Sequence, residues 1–266
     1  MIFHTGGKKI FYDDTGKGST IVLLHGYLET SGVWNKFARR LSEGFRIISI
    51  DLPGHGGSDS FGTTHTMEFM AEVVNDLILS AGIDTFFLAG HSMGGYVTLA
   101  FLDMFHHGLS GYCLFHSHPF ADTSQVIEKR MREIAMVREG KKELFCRDDA
   151  SRMFADSNLE KFPEDVRQSE EIAMGISEGG IIAALNGMME RPSRLSVMEE
   201  GRVPGLWILG RQDNYIPCGI MIPRVKLPGN ARLLILENSG HMGFIEEEKL
   251  AVKELVSFVS DTAGRQ

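Results

Sequence analysis

The chain has little that would let it pair disulfides, cross a bilayer or grip nucleic acid. Cysteine is scarce: Cys113, Cys146 and Cys218 are the only three, far apart and outside any C-x-x-C pattern. Such a set supplies neither a disulfide framework nor a zinc site, so all three are expected as buried thiols. No apolar run approaches the roughly 20 residues a membrane-spanning helix needs. Met1 to Asp14 lack the basic start and apolar middle of a secretory signal, which makes a cytoplasmic location the expectation. Positive charge is also short, with 27 Lys and Arg against 35 Asp and Glu and a formal net charge of -8. No segment gathers enough basic residues to neutralise a phosphate backbone, so nucleic acid is not an expected partner, and neither is a membrane.

What is present fits an ordinary folded domain. Hydrophobic residues make up 43% and charged residues 23%, which excludes a disordered or fibrous chain. At 266 residues the length suits one α/β domain with an insertion better than two independent domains. Short apolar runs alternate with longer amphipathic ones, the rhythm of a mostly parallel sheet covered by helices on both faces. Candidate strands are Lys9 to Asp13, Thr20 to Leu24, Arg46 to Asp51, Phe86 to Ala89, Tyr112 to Phe115, Leu206 to Leu209 and Arg232 to Leu236. Candidate helices are Val33 to Leu41, Met67 to Ser80, Gly95 to Met104 and Glu246 to Ser260. The terminal Gly264-Arg265-Gln266 is expected to fray.

The rhythm stops between Asp122 and Glu200, where charged, methionine-rich sequence of helical period runs without a strand-like segment. It reads as a helical lid, 122–200, inserted into a core formed by 1–121 and 201–266. Gly140, Pro163, Gly179-Gly180 and Pro192 divide it into about four helices. Seven of the chain's 14 methionines lie here: Met131, Met136, Met153, Met174, Met188, Met189 and Met198. Methionine adapts to irregular apolar shapes, so a deformable cover over an apolar substrate is one reading and plain helix cores the other.

The most specific chemical signal is Gly90-His91-Ser92-Met93-Gly94-Gly95, which follows an apolar strand and precedes a helix. In that setting G-x-S-x-G forms a nucleophile elbow, with glycines clearing the sharp turn around a strained serine. A serine hydroxyl needs a base to take its proton, and a histidine base needs a third group to fix its tautomer. His241, in Asn238-Ser239-Gly240-His241 after the strand ending at Leu236, is the best-placed base. Asp213, in Gly210-Arg211-Gln212-Asp213 after the preceding strand, is the matching acid. The order Ser, Asp, His along the chain puts all three at carboxyl ends of strands. An oxyanion formed at Ser92 would need two donors. The Met93 N–H is one, and the Tyr27 N–H, in the loop His25-Gly26-Tyr27, is the other.

Other residues carry weaker signals. His116 and His118 follow a strand at i, i+2 spacing and would share one face if that strand continued. They suit a pocket wall or packing better than a metal, because no third ligand is evident. Asp122 is the alternative acid. Asp51 and His55 suit a turn, and His91 should point away from substrate. Glu170-Glu171 and Glu246-Glu247-Glu248 suit solvated helix faces or helix starts.

Taken together, His25-Gly26-Tyr27, the D-L-P-G-H-G-G-S run from Asp51 to Ser58, Gly90 to Gly95, Gly210 to Asp213 and Ser239 to His241 resemble the α/β-hydrolase superfamily over nearly the whole chain. The resemblance implies an α/β-hydrolase fold with Ser92 as nucleophile, His241 as base and Asp213 orienting it, with no cofactor and no metal. Similar epoxide hydrolases and haloalkane dehalogenases carry aspartate where this chain has Ser92, which sets those branches aside. The loop is similar to the H-G-aromatic form of small-molecule hydrolases rather than the H-G-G-G form. The expected activity is therefore carboxylesterase-like cleavage of a small ester, thioester or lactone through an acyl-enzyme. Carbon-carbon bond hydrolysis, metal-free perhydrolysis or elimination on the same triad, or a ligand-binding receptor with a vestigial triad, are the alternatives.

Overall fold

The structure is a computed structural model, and it describes residues 1–106 and 108–263. The expected terminal fraying falls on 264–266, outside the described residues. Eight strands form one sheet in the order β1-β2-β4-β3-β5-β6-β7-β8. They are β1 (Ile2–Thr5), β2 (Lys8–Gly16), β3 (Thr20–Leu24), β4 (Arg46–Ile50), β5 (Phe86–His91), β6 (Leu109–Phe115), β7 (Gly205–Gly210) and β8 (Ala231–Leu236). β1 and β2 pair antiparallel at one edge, and β3 to β8 are parallel to one another. β1 had no counterpart in the sequence reading. It is four residues long, with Ile2 exposed, so neither burial nor alternation marked it.

The central strands are apolar at successive positions because both faces of the sheet are covered. Val22 and Leu24 of β3 pack into one apolar cluster, and Ile21 and Leu23 into the other. The same alternation holds in β7, where Trp207 and Leu209 face one side and Leu206 and Ile208 the other. The covering helices of the first half are α1 (Asn35–Leu41), preceded by a 3-10 turn at Ser31–Trp34, then α2 (Met67–Ser80) and α3 (Met93–Met104). α2 begins where the sequence predicts, because the Thr66 hydroxyl accepts the Phe69 N–H at 3.1 Å and so caps its first turn.

Between β6 and β7 lie five α-helices and no strand: α4 (Ser124–Arg138), α5 (Lys142–Arg152), α6 (Pro163–Gly175), α7 (Glu178–Glu190) and α8 (Leu195–Glu200). Gly140 and Pro163 mark helix ends as expected, but Gly179-Gly180 lies inside the first turn of α7. A Cβ on Gly180 would come within 2.0 Å of the Gly54 carbonyl oxygen, so this glycine lets α7 press on the loop after β4 rather than ending a helix. The chain closes with α9 (Cys218–Met221), α10 (Gly243–Glu246) and α11 (Glu248–Ala263). Among the described residues, no single helix is long and apolar enough to cross a membrane. All three cysteines are buried and free.

The tightest joint is between β5 and α3. Ser92 between them has φ +48°, in the left-handed region that an L-residue occupies at a cost. The glycines around it are needed for space. A Cβ on Gly90 would lie 2.1 Å from the Gly94 oxygen, and one on Gly94 2.5 Å from the Leu24 oxygen. Both obstacles are backbone and cannot swing aside. Replacing Gly94 with alanine should therefore cost about 3 kcal/mol or more in denaturant unfolding. A midpoint unchanged from wild type would show that the β3–α3 contact is looser than described.

Candidate active site

The parallel strands deliver their loops to one rim. After β3 come His25 to Glu29, after β5 Ser92, after β6 His116, after β7 Asp213 and after β8 His241. Ser92 and His241 line one cavity of about 320 Å³ with Tyr27, Tyr96 and Tyr215.

The acid and the base meet directly. Asp213 Oδ2 lies 2.8 Å from His241 Nδ1. Its other oxygen, Oδ1, accepts the N–H groups of Tyr215 and Ile216, each at 2.8 Å. Burial opposes charge on Asp213, yet His241 and His116 outweigh it and hold the carboxyl well below the ordinary carboxylate range. Burial likewise opposes a charged His241, and the Asp213 carboxylate, with smaller help from Glu29 and Asp149, moves the imidazole above its ordinary value. Such a His, with Nδ1–H committed to Asp213, has Nε2 free for a proton from elsewhere.

His116 takes the packing role and His118 the pocket wall, but not from one strand face. β6 stops at Phe115, and His116 takes φ +47°, so it and His118 do not share a strand face. The fully buried His116 turns beneath the rim, where Nε2 accepts the Gly243 N–H at 3.1 Å and Nδ1 therefore donates to Asp213 Oδ2 at 3.3 Å. Burial pushes it down to about 4, so it stays neutral. His118 instead lines the cavity, with Nε2 3.2 Å from the Tyr96 hydroxyl. His116, Asp213 and His241 offer ligating atoms within 4.8 Å of one another. Each histidine already spends its Nδ1 on Asp213 Oδ2, and the 2.8 Å contact is shorter than the separation of about 3.3 Å between ligands of a tetrahedral zinc.

Asp122, the alternative acid, lines the same cavity but is held by other partners. Its two oxygens meet Arg130 and Arg191, each at 2.7 Å. Asp51 and His55 do shape a turn: Asp51 accepts the N–H groups of Ser31 and Gly57, both at 2.7 Å. The acidic run after His241 is not simply solvated. Glu246 Oε1 accepts the Gly240 N–H at 2.9 Å and the Met242 N–H at 3.2 Å, clamping the loop on both sides of His241. Its Oε2 accepts from Ala155 and Asn158 in the segment between β6 and β7. A carboxylate four and six residues from loop amides was the available signal, and the run of three acids hid it.

Above Ser92, the loop after β3 is pinned by its own histidine. His25 Nε2 accepts the Leu52 N–H at 2.9 Å, so Nδ1 donates to the Gly26 carbonyl at 2.7 Å. Among the described residues no hydrogen bond engages the N–H of Tyr27 or of Met93. The cavity wall from α4 and α5 is charged rather than apolar. It carries Lys129, Arg130, Glu133, Asp149 and Arg152, and of the seven methionines between β6 and β7 only Met188 reaches it. Of the two readings for the methionines, helix core and surface is the one that fits, with Met153, Met188 and Met198 buried and Met131 exposed.

A strained serine on a strand-to-helix turn, over an Asp-His pair at strand ends, defines an α/β hydrolase. The family model for the alpha/beta hydrolase fold matches residues 19–248, and the chain belongs to that family. Two relatives align over nearly all of it. One is a 2-hydroxy-6-oxononadienedioate/2-hydroxy-6-oxononatrienedioate hydrolase of Paraburkholderia phymatum, 26% identical over 94% of this chain and 91% of that protein. The other is a pimeloyl-[acyl-carrier protein] methyl ester esterase of Stenotrophomonas maltophilia, 26% identical over 96% of this chain and 99% of that protein. Among solved structures, a thermophilic esterase from Thermogutta terrifontis superposes with a TM-score of 0.92 at 25% identity, covering 98% of this chain and 97% of its own.

The electrostatics make a direct prediction for the two histidines on Asp213. In an NMR titration, His241 should gain its proton with a midpoint above about 6.5, while His116 stays neutral down to about pH 4. The opposite order would mean that the proton pattern around Asp213 is misassigned.

Proposed function

We propose that the protein is a serine hydrolase that cleaves a small ester, thioester or lactone through an acyl-enzyme. The observation that carries this reading is the 2.8 Å contact of Asp213 with His241 at the cavity that Ser92 also lines. His241 Nε2 takes the Ser92 proton as the hydroxyl attacks the carbonyl, then returns it to the leaving alcohol, thiol or ring oxygen. It next takes a proton from water, which releases the acid and restores Ser92. The Tyr27 and Met93 N–H groups receive the oxyanion of each tetrahedral intermediate, a reading supported by their having no hydrogen-bond partner among the described residues.

The helices of 122–200 act as a cap on the core of 1–121 and 201–266, closing over the acyl group. Their charged cavity wall favours substrates with polar or ionic substituents over plain alkyl chains. A second reading, carbon-carbon bond hydrolysis on the same triad, is favoured by the likeness to the Paraburkholderia enzyme, whose name describes such a dioate substrate. Product analysis separates the two, because carbon-carbon cleavage yields a new carbon acid and no alcohol.

Short p-nitrophenyl esters give the test. Ser92→Ala and His241→Ala should lose about 10³-fold or more in kcat, and Asp213→Asn on the order of 10²- to 10⁴-fold. Asp122→Asn should change the rate far less. Equal rates in Ser92→Ala and wild type would refute the assignment, and a loss confined to Asp122→Asn would move the acid. His241 works as a base only when neutral, and its affinity for a proton is raised, so kcat/KM should fall on the acid side with a midpoint above about 6.5. Removing the Asp213 charge should move that limb to lower pH, since what held the proton on His241 is gone.

A further inference from the structure

Beneath the cavity lies a second pair of ionisable groups that the proposed mechanism does not use. Glu29 and His91 are 1% and 0% exposed, 62 residues apart in sequence, and in contact. His91 Nδ1 is 2.9 Å from Glu29 Oε2, and His91 Nε2 is 2.9 Å from the main-chain carbonyl oxygen of His241. A carbonyl oxygen only accepts, so Nε2 carries a proton. Glu29 Oε2 also accepts the Gly26 N–H at 2.5 Å, and Glu29 Oε1 is buried with no hydrogen-bond partner among the described residues. One further proton therefore lies between Nδ1 and Oε2. Although burial favours the neutral acid, contact with His91 and the Gly26 N–H holds the Glu29 carboxyl below its ordinary range.

The position of this pair matters more than its strength. Glu29 holds Gly26, whose next residue offers the Tyr27 N–H to the oxyanion. His91 precedes Ser92 and holds the carbonyl of His241, while the His241 N–H is held by the Met153 carbonyl at 2.7 Å. Three loops from β3, β5 and β8 are thus joined through two side chains. Trp34 and Phe244 wall His91 with ring centroids at 6.3 and 5.0 Å, which excludes water from the joint. The ring of His241 is fixed by Asp213, but its main chain is fixed by His91. A displacement of about 1 Å between base, nucleophile and oxyanion donor can cost on the order of 100-fold in rate.

We propose that Glu29 and His91 are positioning residues for the hydrolytic step, a buried hydrogen-bonded pair that holds the oxyanion loop and the base in register with Ser92. The proposal rests on the roles given above to Ser92, His241 and the Tyr27 N–H. Neither residue touches substrate, so the effect belongs in kcat.

The test measures kcat and KM on a short p-nitrophenyl ester per active site, with sites counted by a fluorophosphonate label and folding followed by the thermal midpoint. Glu29→Gln keeps an acceptor for the Gly26 N–H and should lose about tenfold in kcat, whereas Glu29→Leu and His91→Phe should each lose about 100-fold. KM should stay within about twofold in all three. The double variant Glu29→Leu/His91→Phe should be no slower than the worse single one, because each single change already breaks the one hydrogen-bonded link that both residues form. Rates per labelled site within twofold of wild type in Glu29→Gln and His91→Phe would overturn the proposal, whatever happens to the thermal midpoint. So would losses that multiply in the double variant, or a rise in KM that accounts for the loss. If Glu29→Leu does not fold, Glu29→Gln and His91→Phe decide the matter. A wild-type protein that takes up no label would overturn the assignment of Ser92 itself, a different result from normal labelling with insensitive variants.

Discussion

The turn at Ser92 is the constraint on which the rest of the site depends. A parallel strand must end and a helix must begin within one residue, and the serine between them takes a backbone conformation that costs energy. The surroundings over-determine it. The Ser92 N–H donates to the Phe115 carbonyl at 3.0 Å, and the Ser92 carbonyl accepts the Ser117 hydroxyl at 2.8 Å. The crowding of Gly90 and Gly94 against backbone leaves the helix nowhere else to lie. The hydroxyl is thereby raised at the carboxyl end of β5, where loops from β3, β7 and β8 can reach it.

Charge around the serine is handled in two layers. Closest to the cavity, Asp213 is a buried acid with four hydrogen bonds, two from backbone N–H groups and one from each of two histidines. Beneath it, Glu29 and His91 hold each other by a buried contact of 2.9 Å. An isolated buried charge is expensive, and removing one partner of a buried pair costs more than the pair contributes. Every ionic group in the two layers has a partner that also fixes a loop, so the electrostatics and the geometry constrain each other. Glu246 extends this logic by clamping the amides on either side of His241 while reaching to Ala155 and Asn158.

The parallel sheet was legible because burial on both faces forces uninterrupted apolar runs, as in Ile21 to Leu24 and Leu206 to Leu209. The meeting of Asp213 with His241 was legible too, since each follows its own strand within a few residues. Longer-range choices were not. His116 could be placed after β6, but only the left-handed backbone at that residue sends it to Asp213 rather than to the cavity. Glu29 and His91 are joined by the fold alone, and nothing in either local sequence names the other. In the helical segment, period announced helices and Gly140 and Pro163 marked two of their ends, yet it gave about four helices where the described residues form five, and periodicity does not say which face looks down. The charged faces of α4 and α5 do so, and most of the methionines do not.

Covalent attack by Ser92 is the central claim, and peptide mapping of the protein after reaction with a fluorophosphonate tests it most directly. The added mass should fall on the peptide that carries Ser92, form quickly in the wild type, slow by orders of magnitude in His241→Ala and vanish in Ser92→Ala. Adduct on another residue, or labelling of Ser92 at the same rate without His241, would contradict a serine activated by the Asp213–His241 pair.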